Sequence, residues 1–130
     1  MYNEVILARF QNLQNAGIVT NADAVGQVGS LSSGEIVKVY LRVSKGVITE
    51  AKFKTLGGVI TLAASDVLCD LLKNRTVETA LLIKSEDIVK ALNGLPDDKL
   101  QIADLVQSVV ADAIDDYYKK LAKAKLNQKK

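Results

Sequence analysis

Few side chains in this chain can do chemistry. There is one cysteine, Cys69, and no histidine. A structural zinc site needs about four nitrogen or sulfur ligands, and an iron–sulfur cluster is held by about four thiolates or their substitutes. One chain does not supply them, and two chains sharing Cys69 would supply only two thiolates. No intrachain disulfide forms either. Cys69 has Leu68 and Leu72 near it in sequence, Asp66 one helical turn before it and Lys73 one turn after. It reads as a buried, inert thiol, the alternative being a redox or intermolecular disulfide cysteine. Ser30, Ser32 and Ser33, between Gly29 and Gly34, offer hydroxyls as a phosphate loop does. They lack the Gly-Lys-Ser/Thr ending and lead into no helix, so a solvated loop is expected. Asp112, Asp115 and Asp116 form an acidic cluster, with Asp112 and Asp116 on one helix face. Without further oxygen ligands this is a solvated face rather than a calcium site. Lys52 and Lys54 read as a solvated strand face.

The elements that must position these groups follow from periodicity. Val5, Ile6, Phe10 and Leu13 recur at helical spacing, which predicts a helix over Asn3 to Asn15, stopped by Asn15-Ala16-Gly17. A loop over Ile18 to Ala24 follows. Gly34 to Val43 alternates, with Val37, Val39, Leu41 and Val43 on one face and Lys38, Tyr40 and Arg42 on the other. Ser44-Lys45-Gly46 turns the chain, and Val47 to Leu56 alternates again, so the pair reads as an antiparallel hairpin. Val25 to Ser30 adds a third strand, weakened by its glycines.

After Gly57-Gly58 the period becomes helical. Val59 to Asn74 is apolar nearly all round, as a central core helix is. Thr76 caps a short helix through Ile83, and Ser85 caps one over Glu86 to Leu92 that stops at Asn93-Gly94. Pro96 and Asp97-Asp98 open a last helix to about Leu126, with Leu100, Leu105, Val109, Ala113 and Tyr117 on its buried face. The order of helix, antiparallel strands and further helices predicts an α+β two-layer domain: a small sheet of about three strands packed on helices.

A length of 130 residues suits one domain, and 48% hydrophobic with 25% charged residues is ordinary globular composition. Aromatics are only 5%, so the core must be aliphatic. No run of about 18 apolar residues exists to span a bilayer. Met1 to Phe10 carries Glu4 and Arg9 and no signal-like apolar block, which makes a cytoplasmic protein the expectation. Six lysines and no acid lie in Lys119 to Lys130, leaving −4 on the rest of a chain whose net charge is +2. With no arginines or aromatics interleaved, these lysines read as a solvated helix end, not a nucleic-acid or membrane site.

Met1-Tyr2-Asn3-Glu4-Val5, Val28 to Glu35, Ala51 to Gly58 and Leu95 to Ile102, taken in order, resemble the iron–sulfur cluster scaffold proteins of the IscU/NifU N-terminal family. The first of these is similar to the family's start, and the second to its first ligand loop. Ala51 to Gly58 resembles the strand that ends in the second ligand loop, a Phe-Lys-Thr-x-Gly-Cys pattern. Thr76 to Ala80 and Ile83 to Ile88 resemble the segments that follow. Leu95 to Ile102 aligns with the third ligand region, Leu-Pro-Pro-Val-Lys followed by His-Cys. The resemblance runs in order from Met1 to Tyr118, so it implies a family domain over residues 1–118 and a lysine-rich helix end or tail over 119–130.

The resemblance implies a role in iron–sulfur cluster assembly, with a cluster or zinc as family ligand and a cysteine desulfurase or another assembly factor as partner. The ligand residues are absent. Ser33 and Gly58 stand at the first and second cysteine positions, Glu35 at the aspartate, Gln101 at the histidine and Ile102 at the third cysteine. Only Glu35 keeps a coordinating group, so no cofactor is expected. Asp97-Asp98 replaces Pro-Val in the segment that family members offer to an Hsp70-type chaperone. Two function classes follow: a non-enzymatic protein-binding or regulatory module, or a small-molecule or enzymatic pocket built from the old ligand loops. For the second, the resemblance gathers Ser33, Glu35, Lys54 and Lys99, and a Ser/Lys pair would be its nucleophile. A structural role through self-association is a third class.

Overall fold

The computed structural model describes residues 2–128. Among them the order is α1 (Glu4–Gln11), β1 (Ala24–Ser30), β2 (Glu35–Ser44), β3 (Val47–Leu56), α2 (Val59–Leu72), α3 (Val77–Ala80), α4 (Ser85–Ala91) and α5 (Leu100–Gln128). A 3₁₀ turn at Asp97–Lys99 leads into α5. The strands form one antiparallel sheet in the order β1-β2-β3, as the alternation predicts. Val37, Val39, Leu41, Ala51 and Phe53 are buried on the inner face, where α2 and α5 pack. The hairpin turn is Lys45-Gly46, with φ 54° and 77° closing Ser44 on Val47. Two residues at positive φ match the right-handed twist of the flanking strands.

Helix α1 is shorter than its periodicity predicts. Asn3 caps it by accepting the Ile6 N–H at 2.9 Å, and its amide donates to the Leu92 carbonyl at 3.0 Å. The helix ends at Gln11 because the next residues are claimed by other elements. The Gln14 and Asn15 N–H groups donate to the Asp66 carboxylate, at 2.9 and 2.8 Å. Asn15 and Gly17 then bond the backbone of Phe53 on the outer edge of β3. That edge is also bonded at Ile48, by Asn74 and Arg75.

Two further expectations are corrected. Ser85 is the first residue of α4 rather than its cap: the cap position is Lys84, whose N–H donates to the Asp87 carboxylate at 2.8 Å. The buried stripe of α5 is Ile102, Ala103, Val106, Val109, Val110, Ala113 and Ile114. It contains Val109 and Ala113 of the predicted face, with Leu105 and Tyr117 half-buried against the core, while Leu100 is exposed. Contact between α5 and β1 depends on Gly26, because a Cβ there would stand 2.6 Å from the Ala113 nitrogen. No helix among the described residues is long and apolar enough to cross a membrane.

Candidate functional site

At the Leu56 end of the sheet three segments meet around a small cavity of about 120 Å³. Glu35 enters from the start of β2, Gly58 from the N-cap of α2, and Lys99 and Ile102 from the 3₁₀ turn and the first turn of α5. Tyr2 and Thr61 complete the polar lining. Thr61 Oγ1 donates to Glu35 Oε2 at 3.3 Å, which sets the carboxylate beside the first turn of α2. The positive end of the helix dipole favours a carboxylate there. Gly58 has φ −84° and ψ −171° and contributes no side-chain cap.

The residues singled out from the sequence divide between inside and outside. Glu35, Gly58, Lys99 and Ile102 line the cavity. Ser33 does not: its hydroxyl is tied into the β1–β2 turn, donating to the Ser30 carbonyl at 2.8 Å. Lys54 lies on the outer face of the sheet, directly opposite Lys38. A pairing of Ser33 with Lys54 in one pocket is therefore not formed. Gln101 is exposed outside the cavity lining. The sequence reading missed Tyr2 and Thr61. Thr61 carried one signal, a hydroxyl on the first turn of an apolar helix.

Cys69 is fully buried about three turns along α2, roughly 16 Å from Gly58 at 1.5 Å per residue. Burial, reinforced by the charge of Asp66, pushes its thiol far above the ordinary range, against a smaller opposing effect of Lys73. Its full burial keeps it away from solvent and from the cavity residues. The acidic cluster on α5 is not simply solvated. Asp112 accepts the Gln27 N–H at 2.7 Å and Asp116 the Val25 N–H at 2.8 Å. Asp115 and Asp116 pair with Lys119 and Lys120, at 2.9 and 2.8 Å. No group of three or more His, Cys, Asp or Glu among the described residues is placed to hold a metal ion. A larger groove of about 690 Å³ lies between α4 and α5, with Val89 and Leu100 as its apolar lining.

Fold and site together define a small α+β domain in which three segments converge beside a helix N-terminus. The chain belongs to the family of the NifU-like N terminal domain, whose model matches residues 1–124. It is 34% identical over 123 residues to the iron–sulfur cluster assembly scaffold protein IscU 1 of Archaeoglobus fulgidus, covering 95% of this chain and 80% of that protein. It is 33% identical over 121 residues to the scaffold protein IscU of Aquifex aeolicus, covering 92% of this chain and 77% of that one. The crystal structure of a NifU-like protein (N-terminal) from Brucella abortus superposes with a TM-score of 0.69 at 24% identity, covering 91% of this chain and 94% of that one. That last likeness concerns the fold.

The donor set here does not fit a cluster. The cavity offers one carboxylate, one ammonium and hydroxyls, with a glycine and an isoleucine at the positions where the resemblance places thiolates. Hard oxygen donors do not replace soft thiolates for iron–sulfur binding.

Proposed function

We propose that this chain is a family member that does not carry a cluster and acts as a non-enzymatic, protein-binding or regulatory module of iron–sulfur cluster assembly. Its partner on this reading is a cysteine desulfurase or another assembly factor. One observation carries the proposal: the three loops converge as in a scaffold, yet the residues they present have no thiolate chemistry. The sole thiol supports it too, being buried on the core side of α2 and far from the loops. The pocket reading is weaker, because about 120 Å³ is well below the roughly 300–1,000 Å³ of ordinary ligand sites. A cytoplasmic setting belongs to the same proposal, and a single free cysteine suits a reducing compartment. We also place the end of the domain near Tyr118, since Ile114 is the last buried residue of α5 and Lys119 onward is exposed through Gln128.

Anaerobic reconstitution with ferrous iron and sulfide tests the central claim. The protein should emerge colourless, while an IscU scaffold treated in parallel acquires visible charge-transfer bands. A stoichiometric chromophore on this chain, lost on chelation, would overturn the proposal.

A further inference from the structure

The outer face of the sheet carries no helix, and it is basic. Its side chains are those that alternate with the buried ones: Lys38, Tyr40 and Arg42 on β2, and Glu50, Lys52 and Lys54 on β3. Lys38 and Lys54 are direct cross-strand partners, and Lys52 is the partner of Tyr40. Directly opposed side chains lie about 5 Å apart at Cβ, and like charges placed so destabilise a sheet. Arg42 is answered by Glu50 at 3.6 Å, whereas Lys38, Lys52 and Lys54 form no ion pair among the described residues. Lys54 makes no such compensating contact among the described residues, and a glutamate at position 54 would relieve the repulsion.

We propose that this face is a docking surface for an acidic protein segment. The inference rests on the protein-binding reading above and names the surface and the partner's chemistry. Charge complementarity selects the acidity: carboxylates laid over Lys38, Lys52 and Lys54 convert a repulsive cluster into a set of ion pairs. The end of the face selects protein. Leu56, 53% exposed, is paired with half-buried Ile36 there, giving apolar side chains somewhere to settle. Single-stranded nucleic acid is disfavoured because its bases stack on open aromatic rings. Tyr40 is the one aromatic on this face, and the Lys38 ammonium lies 5.3 Å from its ring centre.

The test is an amide-resolved NMR titration of the full chain with a short synthetic peptide rich in Glu and Leu, and in parallel with oligothymidylate. The peptide should give saturable shifts centred on Lys38, Tyr40, Lys52 and Lys54, weakening as salt rises to about 0.3 M. Lys54→Glu should weaken peptide binding by about tenfold. It should at the same time raise the melting temperature, because Glu at 54 then faces Lys38, whose contact with Tyr40 is kept. That opposite movement separates lost docking from lost folding. Lys123→Glu, the same charge change on the α5 extension, should leave binding within about twofold. The proposal is overturned if no saturable shift appears on this face, if Lys54→Glu binds the peptide as well as the parent, or if oligothymidylate binds the face more tightly. Such a failure removes this surface and leaves protein binding through other faces standing. A cluster formed on reconstitution would instead remove the functional reading without touching the titration.

Discussion

Asp66 is fully buried, yet each of its oxygens is in use. Oδ1 accepts the Gln14 and Asn15 N–H groups and Oδ2 accepts from Arg9 at 2.9 Å. The Arg9 guanidinium, which burial alone would depress, is held above its ordinary pKa by the hydrogen bonds it donates to Asp70 and Asp66 and by their charges. Lys73 closes the cluster by donating to the Asn15 side chain. These contacts fasten α1 and the segment after it to α2, and through Asn15 to the edge of β3. Replacing Asp66 with Ala strands two backbone donors in the interior, and Arg9 keeps only Asp70. Asp66→Ala should therefore lower the unfolding free energy by about 2–4 kcal/mol, with Asp66→Asn in between. Urea unfolding at neutral pH measures both, and a loss below about 1 kcal/mol would show the network to be dispensable. None of this was legible in the sequence, where Asp66 looked like a neighbour of Cys69. What Ser33, Gly58 and Ile102 cannot do as soft-metal ligands is fixed by their side chains alone and needs no structure to read.

At the scale of elements, the exposed edge of β1 is managed by α5. An unpaired strand edge is a template for unwanted pairing. Asp112 and Asp116 accept the two N–H groups, of Gln27 and Val25, that would otherwise face outward. Burial acts to raise the pKa of Asp116, but the Lys120 hydrogen bond, the Val25 N–H and the nearby lysine charges outweigh it and hold it below the ordinary value. Asp70 is lowered in the same way, burial being outweighed by bonds from Asn15 and Arg9. A carboxylate with a depressed folded pKa contributes stability that is complete above the unfolded value of about 3.9 and is lost as pH falls through the folded value. Stability should thus drop on acidification below about pH 4, and Asp116→Asn should flatten that drop. At neutral pH the same variant should cost about 0.5–1.5 kcal/mol. Urea midpoints across the acid range decide it, and an unchanged acid limb would remove Asp116 from the account. The strands themselves were legible because one face of each is buried and the alternation is clean. The face of α5 was legible in Val109 and Ala113, while Leu100 is exposed because it lies at the very start of the helix, and a helix that is apolar on several sides does not declare its full buried stripe. The edge role of Asp112 and Asp116 depends on which strand lies beside them, which no local pattern encodes.

At the scale of the molecule, what persists is convergence. Glu35, Gly58 and Ile102 come from segments far apart in sequence and still line one cavity. That convergence lets the ligand register implied by the family resemblance be tested directly. Ser33, Gly58 and Ile102 changed to Cys, with Gln101 changed to His, should give a chain that binds zinc stoichiometrically, because about four nitrogen and sulfur donors near tetrahedral geometry suffice. Gly58 accepts the change easily: its φ is −84° and a Cβ there meets nothing within 4 Å. Gly57 is the constrained one, since a Cβ there would press on Thr61 at 2.9 Å. Ile102 limits the affinity, because it lines the cavity but is only 8% exposed and part of the core, so a Cys there gives up packing. Ser33 and Gln101 begin outside the cavity lining and must reorient as well, which predicts binding weaker than in a natural structural site. Competition against a chromophoric chelator measures the stoichiometry, with the parent chain expected to take up no zinc specifically. A variant that folds but takes up none would mean that the loops lie near one another without converging on a point, and the kinship of this end of the molecule with a scaffold site would be one of shape alone.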